Sequence, residues 1–188
     1  MGLRVFLICF LALLPTLAQE THVQLDPAAT TVHYTVGSTL HTVHGTFKLK
    51  SSDLWFNAST GKAGGKLVVD AASGQSGSGA RDSRMKNSIL EAQKYPDITF
   101  QPDRVDGHVN LGGDSAVTLH GTLTIHGGTH EMTMKVNSHI TAEHLTGTID
   151  FDVPYIQWGM KNPSTFVLRV DDTVKISIEA SGQLTSGA

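Results

Sequence analysis

Apolar and polar residues alternate with a period of two along most of this chain. Val32, Tyr34 and Val36 form one such run, Val43, Gly45, Phe47 and Leu49 a second, Leu67 and Val69 a third, and Ile98 and Phe100 a fourth. Successive side chains of an extended strand point to opposite faces, so each run places its apolar members on one side. The pattern is clearest from Val117 through Leu119, Gly121, Leu123 and Ile125, across a turn at His126-Gly127-Gly128-Thr129, into Met132, Met134 and Val136. That stretch predicts a β-hairpin. Ile149, Phe151 and Val153 follow, then Phe166, Leu168 and Val170, and after a turn at Asp171-Asp172 come Val174, Ile176 and Ile178, which makes at least eight strands.

One stretch breaks the rhythm. From Arg81 to Gln93 the apolar residues Met85, Ile89 and Leu90 recur at helical spacing, with Asp82 placed to cap the first turn and Pro96 to end the helix before the strand at Ile98. The glycine- and serine-rich segment 71–80 before it predicts a flexible loop within one domain, because neither flanking half has enough alternating segments for its own core. The strands alternate rather than running continuously apolar, which favours antiparallel pairing. With nineteen glycines for turns, the fold class is all-β, a closed barrel or a sandwich.

The first residues stand apart. Arg4 precedes a continuous apolar run, 5–14, and Thr16-Leu17-Ala18 resembles a signal-peptidase site, so residues 1–18 are expected to be a cleaved signal peptide and 19–188 a single exported domain. Cys9 lies inside that run and is the only cysteine. The mature chain then has no disulfide, no cysteine nucleophile and no cysteine-ligated zinc. Loss of Arg4 takes the formal charge from -3 to -4, and no basic strip remains to neutralise phosphates, which argues against nucleic acid.

Candidate chemistry is sparse. Ten histidines include His41-x-x-His44 and His126-x-x-x-His130, but no converging third ligand can be placed, so no metal site is assigned. His120 and His126 fall on the face opposite Leu119 and Leu123, the outer wall. Asp150 and Asp152 also face outward, and Asp171 and Asp172 read as turn residues, so no nucleophile with its base and no converging carboxylate pair emerges. The opposite face is apolar: Phe47, Phe100, Leu123, Met132, Met134 and Phe151 would line the interior, either as a filled core or as the wall of a ligand cavity. Asn57-Ala58-Ser59 is a glycosylation-type triplet and is read as chance.

Four segments taken together resemble the YceI-like family, the periplasmic polyisoprenoid-binding proteins of bacteria. They are 32–47, ending His-Thr-Val-His-Gly-Thr-Phe; 81–100, with Arg81-Asp82 and Tyr95-Pro96 before Ile98-Thr99-Phe100; 117–136, with Gly121-Thr122-Leu123-Thr124-Ile125; and 153–164, Val-Pro-Tyr-Ile-Gln-Trp-Gly-Met-Lys-Asn-Pro-Ser. Their order and spacing carry the match over nearly the whole mature chain. Arg84 stands where many members have histidine, and 155–161 replaces the commoner R-x-D-F-G pattern, which marks a divergent subgroup.

The resemblance implies an extended lipocalin-like antiparallel β-barrel of about eight strands with one helix near its mouth. A polyisoprenoid or isoprenoid-quinone-type lipid would be its ligand, with no other cofactor. The apolar bore would comprise Val36, Phe47, Leu49, Phe100, Leu123, Ile125, Met132, Met134, Phe151 and Trp158, and Arg81, Arg84 and Lys161 would meet the head group. It further implies a non-enzymatic, periplasmic carrier that makes transient contact with membranes. A structural or adhesive sandwich with a filled core, and a lipid-acting hydrolase on the same barrel, are the alternatives.

Overall fold

The computed structural model describes residues 19–186, so the expected leader 1–18 and its cleavage point lie outside the described residues. Nine strands form: β1 Thr21–Leu25, β2 Thr31–Val36, β3 Val43–Phe56, β4 Ala63–Asp70, β5 Asp97–Asp106, β6 Asp114–Ile125, β7 Gly128–Thr141, β8 His144–Val153 and β9 Val174–Ser186. All pair antiparallel, and β2 through β9 close into an eight-stranded barrel because β3 pairs with β4 and β2 with β9.

β1 shares the slot of β2. Both run between β3 and β9, β1 against 54–56 and 182–186, β2 against 43–48 and 175–179. The slot is interrupted at 26–30, where Pro27 lacks an N–H and cannot continue a ladder. Side chains take over the missing bonds. Buried Ser52 accepts from the Leu25 N–H at 2.7 Å, and the Thr30 hydroxyl donates to Ser181 O and accepts from Ser181 N, each at 3.2 Å.

The inner face carries the alternating apolar residues, and the outer face is polar. Lys135 stands opposite Asp150 across β7–β8, and Asp152 opposite Lys175 across β8–β9, all exposed. Opposite charges paired in this way favour the register and suit a wall facing water.

Three expectations change. The stretch 166–170 is a loop, because both edges of β9 are already taken by β2 and β8; only Val170 finds a partner, in an isolated bridge to Ser38. The helix starts earlier and winds differently: α1 Gly79–Arg84 passes into a π-helical turn, Met85–Ile89. Its N-cap is Ser78, and Asp82 does not cap it but accepts from the Ser76 hydroxyl. The segment 71–80 is pinned as well as glycine-rich. Thr46 and Gln75 exchange backbone hydrogen bonds at 2.9 Å, and Ser73 Oγ accepts from Lys48 N.

That pinning has a structural cause. A bulge at Leu49/Ser51 marks where β3 parts from β4, so the β3 edge above it is unpaired within the barrel. Segment 73–76 covers this edge and brings the helical connection over one end of the barrel. The same end receives the β2–β3 turn, 37–42, the β6–β7 turn and the long β8–β9 connection, 154–173.

Candidate functional site

The barrel is hollow. A cavity of about 710 Å³ runs through it, lined from Val105, Val109 and Val117 at one end to Ser38, His41, Leu168 and Val170 at the other. Val117 to Ile125 on β6 spans about 27 Å of strand, or about 20 Å along the axis of a tilted barrel, so the space is long rather than round. The wall is almost wholly apolar, and it carries no aspartate, glutamate, lysine or cysteine. Its charged members are Arg81 and Arg84, both at the helical end.

The buried core divides accordingly into two clusters. One comprises Val23, Leu25, Val32, Leu49, Val69, Ile140, Ile178 and Leu184; the other gathers Leu90, Phe100, Leu123, Ile125, Met134, Val153, Tyr155 and Met160. Phe47, Leu67, Ile98, Ile149, Phe151 and Ile176 pack against both and remain only partly buried. They form a waist whose inner side meets empty space. A filled core would bury such central side chains most deeply of all.

Most residues assigned to the bore from sequence lie in its wall: Val36, Phe47, Phe100, Leu123, Ile125, Met132, Met134 and Phe151. Two do not. Leu49 is buried within the first cluster beside the bulge, and Trp158 packs against the second cluster at the helical end, its indole stacked on His130, which shares the inner face of β7 with Met132 and Met134, with centroids 3.8 Å apart and planes 7° from parallel. Alternation applied to every strand would have added Leu67, Ile98, Ile149 and Ile176, which occupy the same inward positions.

The three cations expected at the head group also separate. Arg81 lines the cavity while its Nε and Nη2 donate to Ser76 Oγ and Ser76 O at 2.7 and 2.8 Å. Arg84 lines it too, and among the described residues no carboxylate pairs with it. Lys161 is not in the wall; its Nζ lies 3.4 Å from Glu91 Oε1. Met85, Ile89 and Leu90 present the apolar side of the helical connection to the cavity.

Tyr34 adds polarity beside Arg81. Its ring crosses Gly45, its partner on β3, where a Cβ would lie 2.4 Å from the ring, so glycine is required there. Its hydroxyl is buried next to Ser76 without a hydrogen bond of good geometry, and burial pushes its pKa up. Tyr155, at the same end, is pushed up to about 12 by burial and by Asp172 and Asp171, and its hydroxyl donates to Asp171 O at 2.8 Å.

Glu91 fastens this end. Its Oε2 lies 3.1 Å from His126 Nε2, so it links the helical connection to the β6–β7 turn, and Lys161 joins from the β8–β9 connection. Glu91 and His126 have φ of 47° and 51°, the left-handed region. For His126 the cause is local: with Gly127 at φ 75° it makes the two-residue turn between Ile125 and Gly128 that hairpin twist favours. Glu91 takes the position after a helical segment that glycine usually fills. Nothing in the sequence pattern marked this pair, since its members are far apart in sequence.

Of the other histidines, His41 lines the cavity mouth and His130 lies on the inner face of β7 opposite Leu123, its Nε2 buried without a hydrogen bond, while His120 and His139 face outward. His120 bonds Asp106 and Thr133, His139 bonds Asp114, and among the described residues no three histidine, cysteine or carboxylate side chains converge as metal ligands. Asn57 is buried, with its Oδ1 accepting from Ser59 N, Ser59 Oγ and Thr60 N, so this asparagine shapes the β3–β4 turn.

The profile of the YceI-like domain family matches residues 23–181. No curated protein matches the chain by sequence. Among solved structures, a polyisoprenoid binding domain from Saccharophagus degradans, implicated in plant cell wall breakdown, superposes with a TM-score of 0.69 at 18% identity, covering 87% of this chain and 98% of its own. BcnA of Burkholderia cenocepacia gives 0.69 at 18%, with coverage of 84% and 98%. A YCEI protein of Campylobacter jejuni gives 0.61 at 18%, with coverage of 75% and 84%.

Proposed function

From the premise that this chain belongs to the YceI-like domain family, we propose that it is a non-enzymatic carrier holding a polyisoprenoid or isoprenoid-quinone-type lipid in its bore. The observation that carries this reading is the hollow waist: an apolar channel of about 710 Å³ whose central side chains, packed between the two clusters, stay only partly buried. That volume falls in the range of about 300–1,000 Å³ over which proteins enclose small molecules. An elongated apolar guest would complete the contacts left open there, with each buried CH₂ contributing about 0.8 kcal/mol.

The distribution of polarity supports an amphiphile with its head at the helical end, where Arg81, Arg84 and the Tyr34 hydroxyl lie. The Saccharophagus degradans relative, described as polyisoprenoid binding, supports the lipid class. A wall without carboxylates or thiols supports binding over hydrolysis, and at its mouth the Ser38 hydroxyl bonds the backbone O and N of His41 rather than the imidazole. Export to the periplasm belongs to the same proposal.

The test is solvent extraction of the purified protein followed by mass spectrometry. A prenyl-chain lipid in stoichiometric amount is expected. Repeated extraction of no lipid, together with no uptake of added prenyl quinone, would overturn the reading.

A further inference from the structure

Exposed apolar surface on this protein is concentrated at one place. Among the described residues, the large hydrophobic side chains left strongly exposed are Leu40, Leu111, Phe166 and Val167. Leu111 belongs to the β5–β6 loop at the far end, and the other three share one tip at the helical end. Residues 165–168 close a tight turn, with Thr165 N donating to Leu168 O at 2.7 Å, so Phe166 and Val167 stand at its apex. This turn is tied to the β2–β3 loop by Thr39 N donating to Arg169 O at 2.9 Å and by the bridge between Ser38 and Val170. Leu40 follows directly. Phe166 is 104% exposed, Val167 79% and Leu40 70%, against 49% for Leu111, the next most exposed large hydrophobic side chain among the described residues.

The tip is continuous with the bore. Ser38, His41, Leu168 and Val170, which flank the exposed residues, line the cavity mouth. An apolar path therefore runs from the apex to the waist.

Charge is sorted along the same axis. The four connections at this end, 37–42, 71–96, 126–127 and 154–173, carry Arg81, Arg84, Lys86, Lys94, Lys161 and Arg169 against four carboxylates, a net +2. The rest of the described chain carries seven cations against thirteen carboxylates, a net -6. On a protein that is acidic as a whole, the connections beside the exposed apolar tip thus carry the positive excess, with Asp70 and Asp97 set back at the ends of β4 and β5. Apolar side chains on an end whose connections carry excess positive charge suit a bilayer with anionic head groups, where the former enter the acyl boundary and the latter meet phosphate.

We infer that the joined tips of 37–42 and 163–170 dock on an anionic membrane, with Leu40, Phe166 and Val167 inserted and the bore mouth held against the lipid. As a route for cargo this rests on the lipid-carrier reading; the docking itself does not. A long prenyl chain would then slide from bilayer to bore along Leu168 and Val170 without crossing water.

The test uses the full chain and vesicles of phosphatidylethanolamine with phosphatidylglycerol, beside vesicles of phosphatidylcholine. The parent should prefer the anionic vesicles and lose that preference in high salt. Combining Leu40→Ser, Phe166→Ser and Val167→Ser should weaken sedimentation with anionic vesicles by about tenfold or more, while the urea midpoint holds because these side chains pack on nothing. Hydrogen exchange with vesicles present should protect 37–42 and 163–170 but leave 107–113, at the far end, unchanged; this locates the contact whatever residues 1–18 contribute to binding.

Equal binding of parent and variant with no protection at the tips would overturn the inference. So would protection at 107–113 instead, or tip protection that needs no vesicles and rises with protein concentration, which would mean a second copy of the chain covers the tip. Extractable lipid is read separately. A parent that docks but never yields or takes up lipid would sink the carrier reading and leave the docking surface standing.

Discussion

The two ends of this barrel close by different means. At the far end the core is made almost wholly by strands: every buried member of its cluster, from Val23 to Leu184, lies on β1, β2, β3, β4, β7 or β9, and of the residues packed against it Val109 alone comes from a connection. At the helical end Leu90, Tyr155 and Met160 come from connections, and Met85, Ile89, Ile156 and Trp158 pack around them. One end is therefore sealed by the sheet that forms the wall. The other is sealed by segments that could move relative to that wall, held through Glu91, His126 and Lys161. A carrier needs such an asymmetry, because an opening made of ladder-bonded strands could admit a guest only by breaking the barrel.

The strongest way to break the comparison is to place a charge in a packed cluster and again in the waist between the clusters. Leu123→Asp should cost on the order of 3 kcal/mol, a large part of the stability of an ordinary domain, because it buries a carboxylate in an apolar cluster where His130, its cross-strand partner, offers only partial compensation. Ile149→Asp should cost markedly less, since its side chain faces space that water can occupy. Urea unfolding followed by circular dichroism reads both midpoints. Equal losses would mean that the waist is as tightly packed as the ends. Both variants should fail to retain prenyl lipid.

Volume provides a second, smaller contrast. Ile140 is 2% exposed in the far-end cluster, and Ile140→Ala should cost about 2–5 kcal/mol through lost burial and the cavity left behind. Ile149→Ala at the waist should cost under about 1.5 kcal/mol, because space already adjoins it. Ile149→Trp should leave the thermal midpoint nearly unchanged while reducing the lipid recovered. In a filled core the same enlargement would cost about 1–3 kcal/mol through overpacking.

The same division decides how much could be read from sequence. Strand after strand was legible because the inner face needs apolar residues and the outer face polar ones, a constraint that acts at every second position and so leaves a local signature. Phe47, Leu123 and Met134 were found on that basis. β1 was not singled out, although Val23 and Leu25 alternate, because so short a run leaves little pattern; the Thr30 and Ser181 contacts that repair its slot lie far apart in the chain. Phe166, Leu168 and Val170 obeyed the alternation and still formed no strand, since a strand also needs a free edge and β9 had none. Whether the apolar faces enclosed a guest or packed together was not legible at all: alternation fixes which way side chains point but not how far apart opposite walls stand. Trp158 and Lys161 were misplaced for a related reason, as a connection has no period from which direction can be inferred.

The repaired slot beneath the far end gives a more modest test. Thr30→Ala removes the hydroxyl that bonds both Ser181 N and Ser181 O, leaving backbone groups of the β9 edge without their partner. A loss of about 1–2 kcal/mol is expected in the urea midpoint, with extractable lipid unchanged. A drop in lipid content without a drop in stability would mean that this end, too, governs access to the bore.

The smallest effect is expected at the clamp of the helical end, and it depends on pH. The hydrogen bond from His126 holds the Glu91 carboxyl below its ordinary range against the opposing effect of desolvation, and Lys161 adds to it. A carboxyl whose folded value is depressed stabilises the fold above its unfolded value, about 4.3 for glutamate, and that contribution disappears as pH falls through the folded value. Glu91→Gln keeps the shape and removes the charge, so parent and variant should differ near neutrality and converge in acid. Hydrogen exchange of 79–92 is the sensitive readout, because the clamp holds a connection rather than the sheet. Glu91→Gly separates the two things this residue does. Glycine accepts φ 47° without strain and so relieves the backbone, yet it releases His126 and Lys161. Faster exchange in 79–92 with an unchanged or raised global midpoint would mean that a strained glutamate is kept there for the clamp. A midpoint that falls in step with the exchange would instead make Glu91 an ordinary part of the fold's stability and remove the distinction drawn between the two ends.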